Sequence, residues 1–241
     1  MITIKRSATR TTRFQTALSA GDGRLRVARI TVGAFGLFAV GYQAAITIGQ
    51  HGFPAANFFS YFTILSNILA GGLLITLGAR PNIAARLDDM RGAMVLCMVV
   101  TSLLYNVLLR SVAVAISHAW INEVLHVVLP LAVLLDWLLV PAAREITRRQ
   151  ALQWLGLPVA YLGYSLVRGP VAGWYPYPFV DPEASGGYLA LAGKSIVLGL
   201  GMAVIALGLA NLTRTARRRA DSSGERELGA SSARGGRVKA A

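Results

Sequence analysis

The feature that most constrains this chain is a succession of long apolar runs separated by short segments that carry arginine. A helix needs roughly 20 apolar residues to cross the hydrocarbon core of a bilayer. Hydrophobic residues make up 54% of the chain, and long windows contain no charged residue. This combination predicts an all-α integral membrane protein, a bundle of six transmembrane helices. The predicted spans are 27–48, 57–78, 92–110, 121–140, 150–168 and 187–211.

The basic residues between these spans are distributed unevenly. They concentrate in the N-terminal tail, after the second and fourth spans, and in the C-terminal tail, whereas the other three connections are nearly free of them. In membrane proteins the cytoplasmic loops carry the excess of Lys and Arg. We therefore expect a multi-pass protein of the cell membrane with both termini in the cytoplasm.

The net charge of +13 raises the question of a nucleic-acid partner. Because the charge lies in tails and short loops, we interpret it as a determinant of topology, and we expect membrane lipids and no nucleic acid as partners. We expect a basic cytoplasmic tail over 1–26, a transmembrane domain over 27–211, and a basic disordered cytoplasmic tail over 212–241. The first tail also resembles an organelle transit peptide in composition, but a cytoplasmic tail is the simpler interpretation.

The second span, which begins NFFSYFTILSNILA, carries a polar stripe. Ser60, Thr63, Ser66 and Asn67 follow one another at helical spacing, so they lie along one side of a helix. Serine in a membrane helix commonly bonds its own backbone or a neighbouring helix, and we expect this of Ser60 and Ser66. We expect Asn67 to be an interhelical hydrogen-bond partner.

The predicted topology brings polar residues of several spans to one depth. Thr63 lies roughly 9 Å along its helix from the outer end, and His126 lies at about the same depth in the fourth span. The third span runs outward, so Tyr105 and Asn106 end in this layer too. Polar groups inside a membrane are costly unless partnered and often mark function.

His126 is an ionisable ring within a span, and two interpretations stay open: a functional residue or a structural histidine. Asn122 precedes it by four residues. Pro130 follows by four and cannot donate the backbone bond that the His126 carbonyl would accept in an α-helix. A metal site is disfavoured, because His51 and His118 lie in loops and no ligand pair has metal-binding spacing. We expect neither a metal nor a cofactor.

The connection before the last span contains W-Y-P-Y-P-F, which includes Trp174, Tyr175 and Tyr177. Its prolines favour an extended backbone, and its aromatic rings suit the membrane–water interface. The segment is either an interfacial anchor or a lid over the polar layer. At the opposite end of the fourth span, Asp136 is expected to be an interfacial anchor or the partner of a loop arginine.

The motifs F-x-x-x-F-T-x-x-S-N, L-H-x-x-x-P and W-Y-P-Y-P-F, in this order, resemble a family of multi-span membrane proteins. It comprises the androgen-induced-gene membrane proteins of animals and their bacterial Pr-six-Pr relatives, and the likeness covers roughly 27–211. The animal members hydrolyse fatty-acid esters of hydroxy fatty acids with an intramembrane threonine and a histidine. The resemblance implies Thr63 as the nucleophile and His126 as its partner, although the Ser66-Asn67 pair matches the bacterial branch more closely.

The leading hypothesis is therefore a lipid-ester hydrolase in which Thr63 attacks the carbonyl and His126 accepts the hydroxyl proton. Asn122 or Asn67 would orient the imidazole or hold the oxyanion. The alternative is a non-catalytic membrane protein that binds or transports a lipid or a small apolar solute. In that case the same outer layer would form the binding pocket.

Overall fold

The structure, a computed structural model, describes residues 23–110, 118–140 and 142–238, and these ranges contain helices and loops without strands. Most of the N-terminal tail therefore lies outside the described residues. The α-helices are α1 (Gly23–Thr47), α2 (Ala55–Phe58), α3 (Phe62–Ala79), α4 (Asp88–Leu104), α5 (Ala119–Glu123), α6 (Leu129–Leu139), α7 (Arg148–Gln153), α8 (Gly156–Ala172), α9 (Pro182–Ser185) and α10 (Tyr188–Val238).

Five helical stretches in the described ranges are long and apolar enough to cross a membrane. They correspond to the first four predicted spans and the sixth, so an all-helical, multi-pass membrane protein is confirmed at this level. The five stretches are Gly23–Thr47, Phe62–Ala79, Pro81–Val107, Ala119–Leu139 and Tyr188–Thr215.

The fifth predicted span, 150–168, differs from the others. It is divided at Trp154 into α7 and the 17-residue α8. Pro158 has no N–H to donate to the Trp154 carbonyl, so an uninterrupted helix across this point would lose a hydrogen bond. Instead Leu157 donates to that carbonyl at 3.4 Å. The chain therefore turns tightly here before α8 continues.

Two π-helical turns interrupt neighbouring membrane helices. One, Tyr105–Leu109, extends α4, and the other, Val124–Val128, joins α5 to α6. In the second, the Leu129 N–H bonds back to the Val124 carbonyl, a reach of five residues. Single π-turns within α-helices occur frequently at functional sites. The rings of Tyr105 and His126 stack across the two turns, so the turns lie side by side.

Helices α1 and α3 form a close interface over glycines. A Cβ placed on Gly33 would lie 2.6 Å from the Gly71 carbonyl oxygen, and one on Gly78 would lie 2.7 Å from the Arg26 carbonyl oxygen. Small residues permit such backbone approach in membrane bundles. This packing fixes α3, which carries the polar stripe, against the first membrane helix.

Four buried charges join α1, α4 and α6 in an ion-pair cluster that consists of Arg29, Asp88, Arg91 and Asp136. Asp136 accepts from Arg29 Nε at 2.5 Å and from Arg91 Nη2 at 3.1 Å, and Arg91 Nη1 lies 3.1 Å from Asp88. None of the four is more than 8% exposed. Asp136 is thus the partner of an arginine, one of its two expected roles, but this arginine, Arg91, lies in the first turn of α4 and not in a loop. Arg29 from within the first span is a second partner.

Helix α10 extends from Tyr188 to Val238, so 212–238 is helical, whereas its composition predicts a disordered tail. Continuing an existing helix requires no new nucleation, which is the costly step in helix formation. The segment also contains no proline that would end the helix.

Candidate functional site

Thr63 and His126 lie in contact, as the shared-depth argument predicts. Thr63 is the second residue of α3, and its Oγ1 lies 3.3 Å from Nε2 of His126. His126 occupies the middle of the π-turn Val124–Val128 and is 5% exposed, whereas Thr63 is partly exposed. A hydroxyl and an imidazole nitrogen at this separation are the partners required of a nucleophile and its base.

The second ring nitrogen of His126 determines the role of the first. Nδ1 lies 3.0 Å from the backbone carbonyl oxygen of Asn122. A carbonyl can only accept a hydrogen bond, so this contact assigns the proton of the neutral ring to Nδ1. Nε2 is then the acceptor, and the Thr63 hydroxyl donates to it. This arrangement orients the ring for proton abstraction from Thr63.

Tyr105 supports the imidazole from one side. Its ring stacks on His126 with centroids 4.0 Å apart and planes inclined by 24°. Its hydroxyl is hydrogen-bonded to the side-chain amide of Asn122. Asn122 therefore contributes twice: its carbonyl orients His126, and its amide holds the stacked tyrosine.

Asn106 does not join this group. Its amide donates to the Ser102 carbonyl at 2.9 Å, and its side-chain oxygen accepts from Arg110 at 3.1 Å. Both partners lie four residues from Asn106 along the chain, one before it and one after it. The expectation that Asn106 supports the site is therefore not met by these contacts.

Asn67 is the interhelical partner that its position suggests. Its amide donates to the Thr63 carbonyl at 2.7 Å and to the Leu125 carbonyl at 3.2 Å, and the residue is fully buried. These bonds tie the first turn of α3 to the π-turn that bears His126. Asn67 therefore maintains the separation between the two helices at the level of Thr63.

The two serines of the stripe have packing roles. Ser60 donates to the Ala56 carbonyl at 2.6 Å and shares a hydrogen bond with the Tyr164 hydroxyl at 2.7 Å. Ser66 bonds the Thr63 carbonyl at 3.2 Å and lies 3.3 Å from the Thr101 hydroxyl. Both serines bond backbone and a neighbouring helix, as expected for Ser66 within α3. Ser60 lies in the turn between α2 and α3, so the predicted helix over 57–78 is interrupted there and Ser60 is not part of a stripe on one helix.

The segment 174–179, called here the aromatic loop, covers the start of α3, and its aromatic side chains point in different directions. Trp174 meets the Tyr61 ring edge-on at 5.5 Å. Tyr175 instead packs on α8, where a Cβ on Gly169 would lie only 2.0 Å from its ring. Of the two tyrosines, Tyr177 reaches the threonine, so the lid interpretation fits Tyr177 and not Tyr175.

The Tyr177 hydroxyl makes two contacts with Thr63. Its oxygen accepts the Thr63 backbone N–H at 3.2 Å and lies 3.3 Å from Oγ1. The ring is stacked on Phe179 at 5.0 Å with planes 7° apart. Burial raises the pKa of the Tyr177 phenol to about 12, so the hydroxyl keeps its proton at neutral pH.

Thr63, Tyr105, Asn122, His126 and Tyr177 thus form one contiguous group, called here the hydroxyl–imidazole site. Sequence reasoning named all five residues but missed the two π-turns that bring Tyr105 and His126 face to face. The proline four residues after His126 was the available signal. Comparisons of the chain with protein-family models, curated proteins and solved structures give no match, so the family resemblance rests on the motifs alone.

Proposed function

We propose that this protein is an integral membrane hydrolase that cleaves a lipid ester, with Thr63 as nucleophile and His126 as general base. The observation that carries the proposal is the 3.3 Å contact between Thr63 Oγ1 and His126 Nε2, with Nδ1 bonded to a backbone carbonyl. A threonine hydroxyl is a weak nucleophile, and an adjacent oriented base activates it. Contacts of this kind are commonly long in the absence of substrate and shorten in the reacting complex.

The reaction follows from these two side chains. The Thr63 oxygen attacks the ester carbonyl carbon while its proton passes to Nε2 of His126. The imidazolium gives that proton to the departing alcohol, which leaves the acyl group on Thr63. A water molecule then attacks the acyl carbon, gives a proton to His126, and releases the acid, and the proton returns to the Thr63 oxygen.

The surroundings of the site support a lipid as the substrate. Thr63 lies in the first turn of an 18-residue apolar helix, and apolar side chains on the two site-bearing helices face outward. Leu69 is 52% exposed and Val128 is 45% exposed. An acyl chain could pack against such a surface, whereas a polar ester would lose its hydration. The motif resemblance to hydrolases of fatty-acid esters points to the same class.

We further propose six membrane crossings, with α8 as the fifth. At about 1.5 Å per residue, α8 alone is roughly 26 Å long, close to the hydrocarbon thickness. Val159, Val167 and Val171 are 64%, 75% and 87% exposed, as lipid-facing residues would be. The distribution of Arg supports termini in the cytoplasm.

Cysteine labelling from outside intact cells tests this topology. The native cysteine is buried, so introduced cysteines report their own positions. His51→Cys, His118→Cys and Pro182→Cys should react with an impermeant reagent, and Arg86→Cys and Arg148→Cys should not. The reverse pattern would overturn the orientation, and the same response at Arg148→Cys and Pro182→Cys would overturn α8 as a crossing.

Hydrolysis of long-chain fatty-acyl esters by the purified protein in lipid nanodiscs tests the activity. Thr63→Ala and His126→Ala should each lower turnover by at least about 1,000-fold, because nucleophile and base act as a unit. Thr63→Ser should retain part of the activity, since the hydroxyl remains. A fluorophosphonate probe should label the wild type and not Thr63→Ala.

Matched controls are present in the chain. Thr76 is a threonine of the same helix whose hydroxyl bonds the Gly72 carbonyl at 2.8 Å, so Thr76→Ala should hydrolyse as well as wild type. His118→Ala removes an exposed histidine and should also be active. If Thr63→Ala equals wild type, the hydrolase proposal fails, and lipid or solute binding without catalysis takes its place.

A further inference from the structure

Ester cleavage through an attacking hydroxyl creates a negative oxygen, and a hydrolase needs hydrogen-bond donors for it. Both asparagines proposed from the sequence use their amides to hold other groups. Asn67 donates to the carbonyls of Thr63 and Leu125, and the Asn122 amide bonds the Tyr105 hydroxyl. Withdrawing either would break the contacts that hold His126 and α3 in place. A donor near Thr63 that can turn to the oxyanion without breaking these contacts is therefore the better candidate.

We propose that the Tyr177 hydroxyl is this donor, an inference that rests on the proposed ester hydrolysis. Its oxygen lies 3.3 Å from Thr63 Oγ1 and 3.2 Å from the Thr63 backbone nitrogen. In the tetrahedral intermediate the oxyanion is attached to the carbon bonded to Oγ1, so it forms within hydrogen-bond reach of a phenol at this distance. Tyr177 is then a catalytic residue, since it touches the reacting atoms.

The loop holds this phenol in a defined place. The Tyr177 ring is stacked on Phe179 and meets Tyr61 edge-on at 5.6 Å. Its carbonyl accepts the Val180 N–H at 3.1 Å, which closes a turn directly after the tyrosine. Pro176 and Pro178 restrict the backbone on both sides. A donor positioned in advance needs no reorganisation during the reaction, which is the basis of oxyanion stabilisation.

These groups account for every proton and electron pair that moves in the acylation step. The Thr63 proton moves to Nε2 of His126 as the Oγ1–carbon bond forms, and the carbonyl π electrons move to the oxygen. Tyr177 keeps its proton and shares it with that oxygen as a hydrogen bond. When the intermediate collapses, the electrons return to the carbonyl, the alcohol leaves with the proton of His126, and the Tyr177 hydroxyl again faces Thr63.

Kinetics of Tyr177→Phe on a fluorogenic fatty-acyl ester test the assignment. We expect kcat to fall by about 100-fold with KM changed by less than about threefold, as for other single oxyanion donors. Tyr175→Phe is the matched control, because Tyr175 belongs to the same loop and packs on Gly169; its kcat should equal that of wild type. A boronic-acid analogue of the tetrahedral intermediate should lose affinity for Tyr177→Phe in parallel with kcat, whereas the fatty-acid product should not.

Incorporation of 3-fluorotyrosine at position 177 keeps the shape of the side chain and changes only the acidity of the phenol, so it should retain most of the activity that phenylalanine loses. Equal or higher kcat in Tyr177→Phe would overturn the inference, because the phenol would then only fill the site. If the wild type is labelled at Thr63 by fluorophosphonate and Tyr177→Phe turns over normally, only this inference fails. If the wild type neither hydrolyses the ester nor reacts with the probe, both proposals fail.

Discussion

The ion-pair cluster and the hydroxyl–imidazole site are two polar groups in one apolar bundle, and they are built in opposite ways. The cluster contains four formal charges at 2.5–3.1 Å, all nearly inaccessible. The hydroxyl–imidazole site contains neutral groups whose contacts around Thr63 measure 3.2–3.3 Å, and Thr63 and Tyr177 are partly exposed. Asp136 and His126 lie on the same continuous helical stretch, ten residues and about 15 Å apart.

The comparison distinguishes polar groups that stabilise the fold from polar groups that can react with a substrate. Buried charges must be compensated at short range, and once compensated they hold their helices in register and are not free to react. Neutral groups with long contacts and an open side can exchange partners with a substrate. We therefore expect changes in the cluster to affect stability and changes in the site to affect turnover.

The largest stability effect should come from Asp136→Ala. It leaves Arg29 and Arg91 buried without their shared carboxylate, which should cost about 3–5 kcal/mol of unfolding free energy. Unfolding in detergent followed by tryptophan fluorescence measures it. Asp89→Ala is the control, because Asp89 pairs with Arg144 at the surface of the same end of α4. A loss of turnover per folded molecule in Asp136→Ala would remove the distinction between the two regions.

A pH effect of intermediate size should come from Tyr177. Burial raises its pKa to about 12, whereas a phenol in an unfolded chain titrates near pH 10. The folded state keeps this proton longer, so the stabilisation is fully present below about pH 10 and is lost as the pH rises toward 12. Over that window the wild type should lose on the order of 2 kcal/mol more stability than Tyr177→Phe. Parallel curves for the two proteins would contradict the burial of the hydroxyl group within this partly exposed residue.

A smaller effect on turnover is expected when the contact that holds Tyr105 against the His126 ring is weakened. Tyr105→Phe keeps the stacked ring and removes the bond to Asn122, so kcat/KM should fall by about 3–10-fold, equivalent to about 1 kcal/mol. Steady-state hydrolysis measures this change, and unfolding should shift by a similar amount. A fall of more than about 100-fold would instead give the Tyr105 hydroxyl a direct part in proton transfer.

The smallest effects should come from the exposed ion pairs. Arg110 and Glu123 are 3.8 Å apart and more than half exposed, and Arg144 and Asp89 are also open to solvent. Arg110→Gln and Arg144→Gln should each change the unfolding free energy by less than about 1 kcal/mol, because solvent screens such pairs. A larger change for Arg110→Gln, measured beside Arg144→Gln, would show that the end of the bundle near His126 also depends on charge.

Much of the helical architecture was predictable because membrane spans have a strong compositional signature. Helix direction then placed Thr63 and His126 at one depth. The division at Trp154 was not predicted, since a proline near a helix start is tolerated and Pro158 alone does not indicate on which side the helix breaks. Arg29 was missed as a partner of Asp136, although an arginine inside an apolar span requires a counter-charge.

The site was predictable in its residues and less so in its contacts. Spacing on a helix identifies which side chains share a face, but it does not reveal that Asn106 bonds to Arg110 and Ser102 while Tyr105 turns to His126. Those directions depend on the π-turns, which have no periodic signature. The role of Tyr177 depends on the path of a proline-containing loop that stacks its ring on Phe179 and sets it edge-on against Tyr61, which is a tertiary property.

The π-turn Val124–Val128 also limits how this protein can change by insertion and deletion. A π-turn contains one residue more than the α-helical turn it replaces. Deleting one residue of this turn, for example Val127, would convert it to a regular α-helical turn and leave the helix beyond it in its present register. Asp136 would then stay with Arg29 and Arg91, whereas the turn that carries His126 would be rebuilt. A deletion between Leu129 and Asp136 would instead rotate Asp136 by about 100° relative to His126. The position of a one-residue deletion in this helix therefore decides which of the two regions is lost.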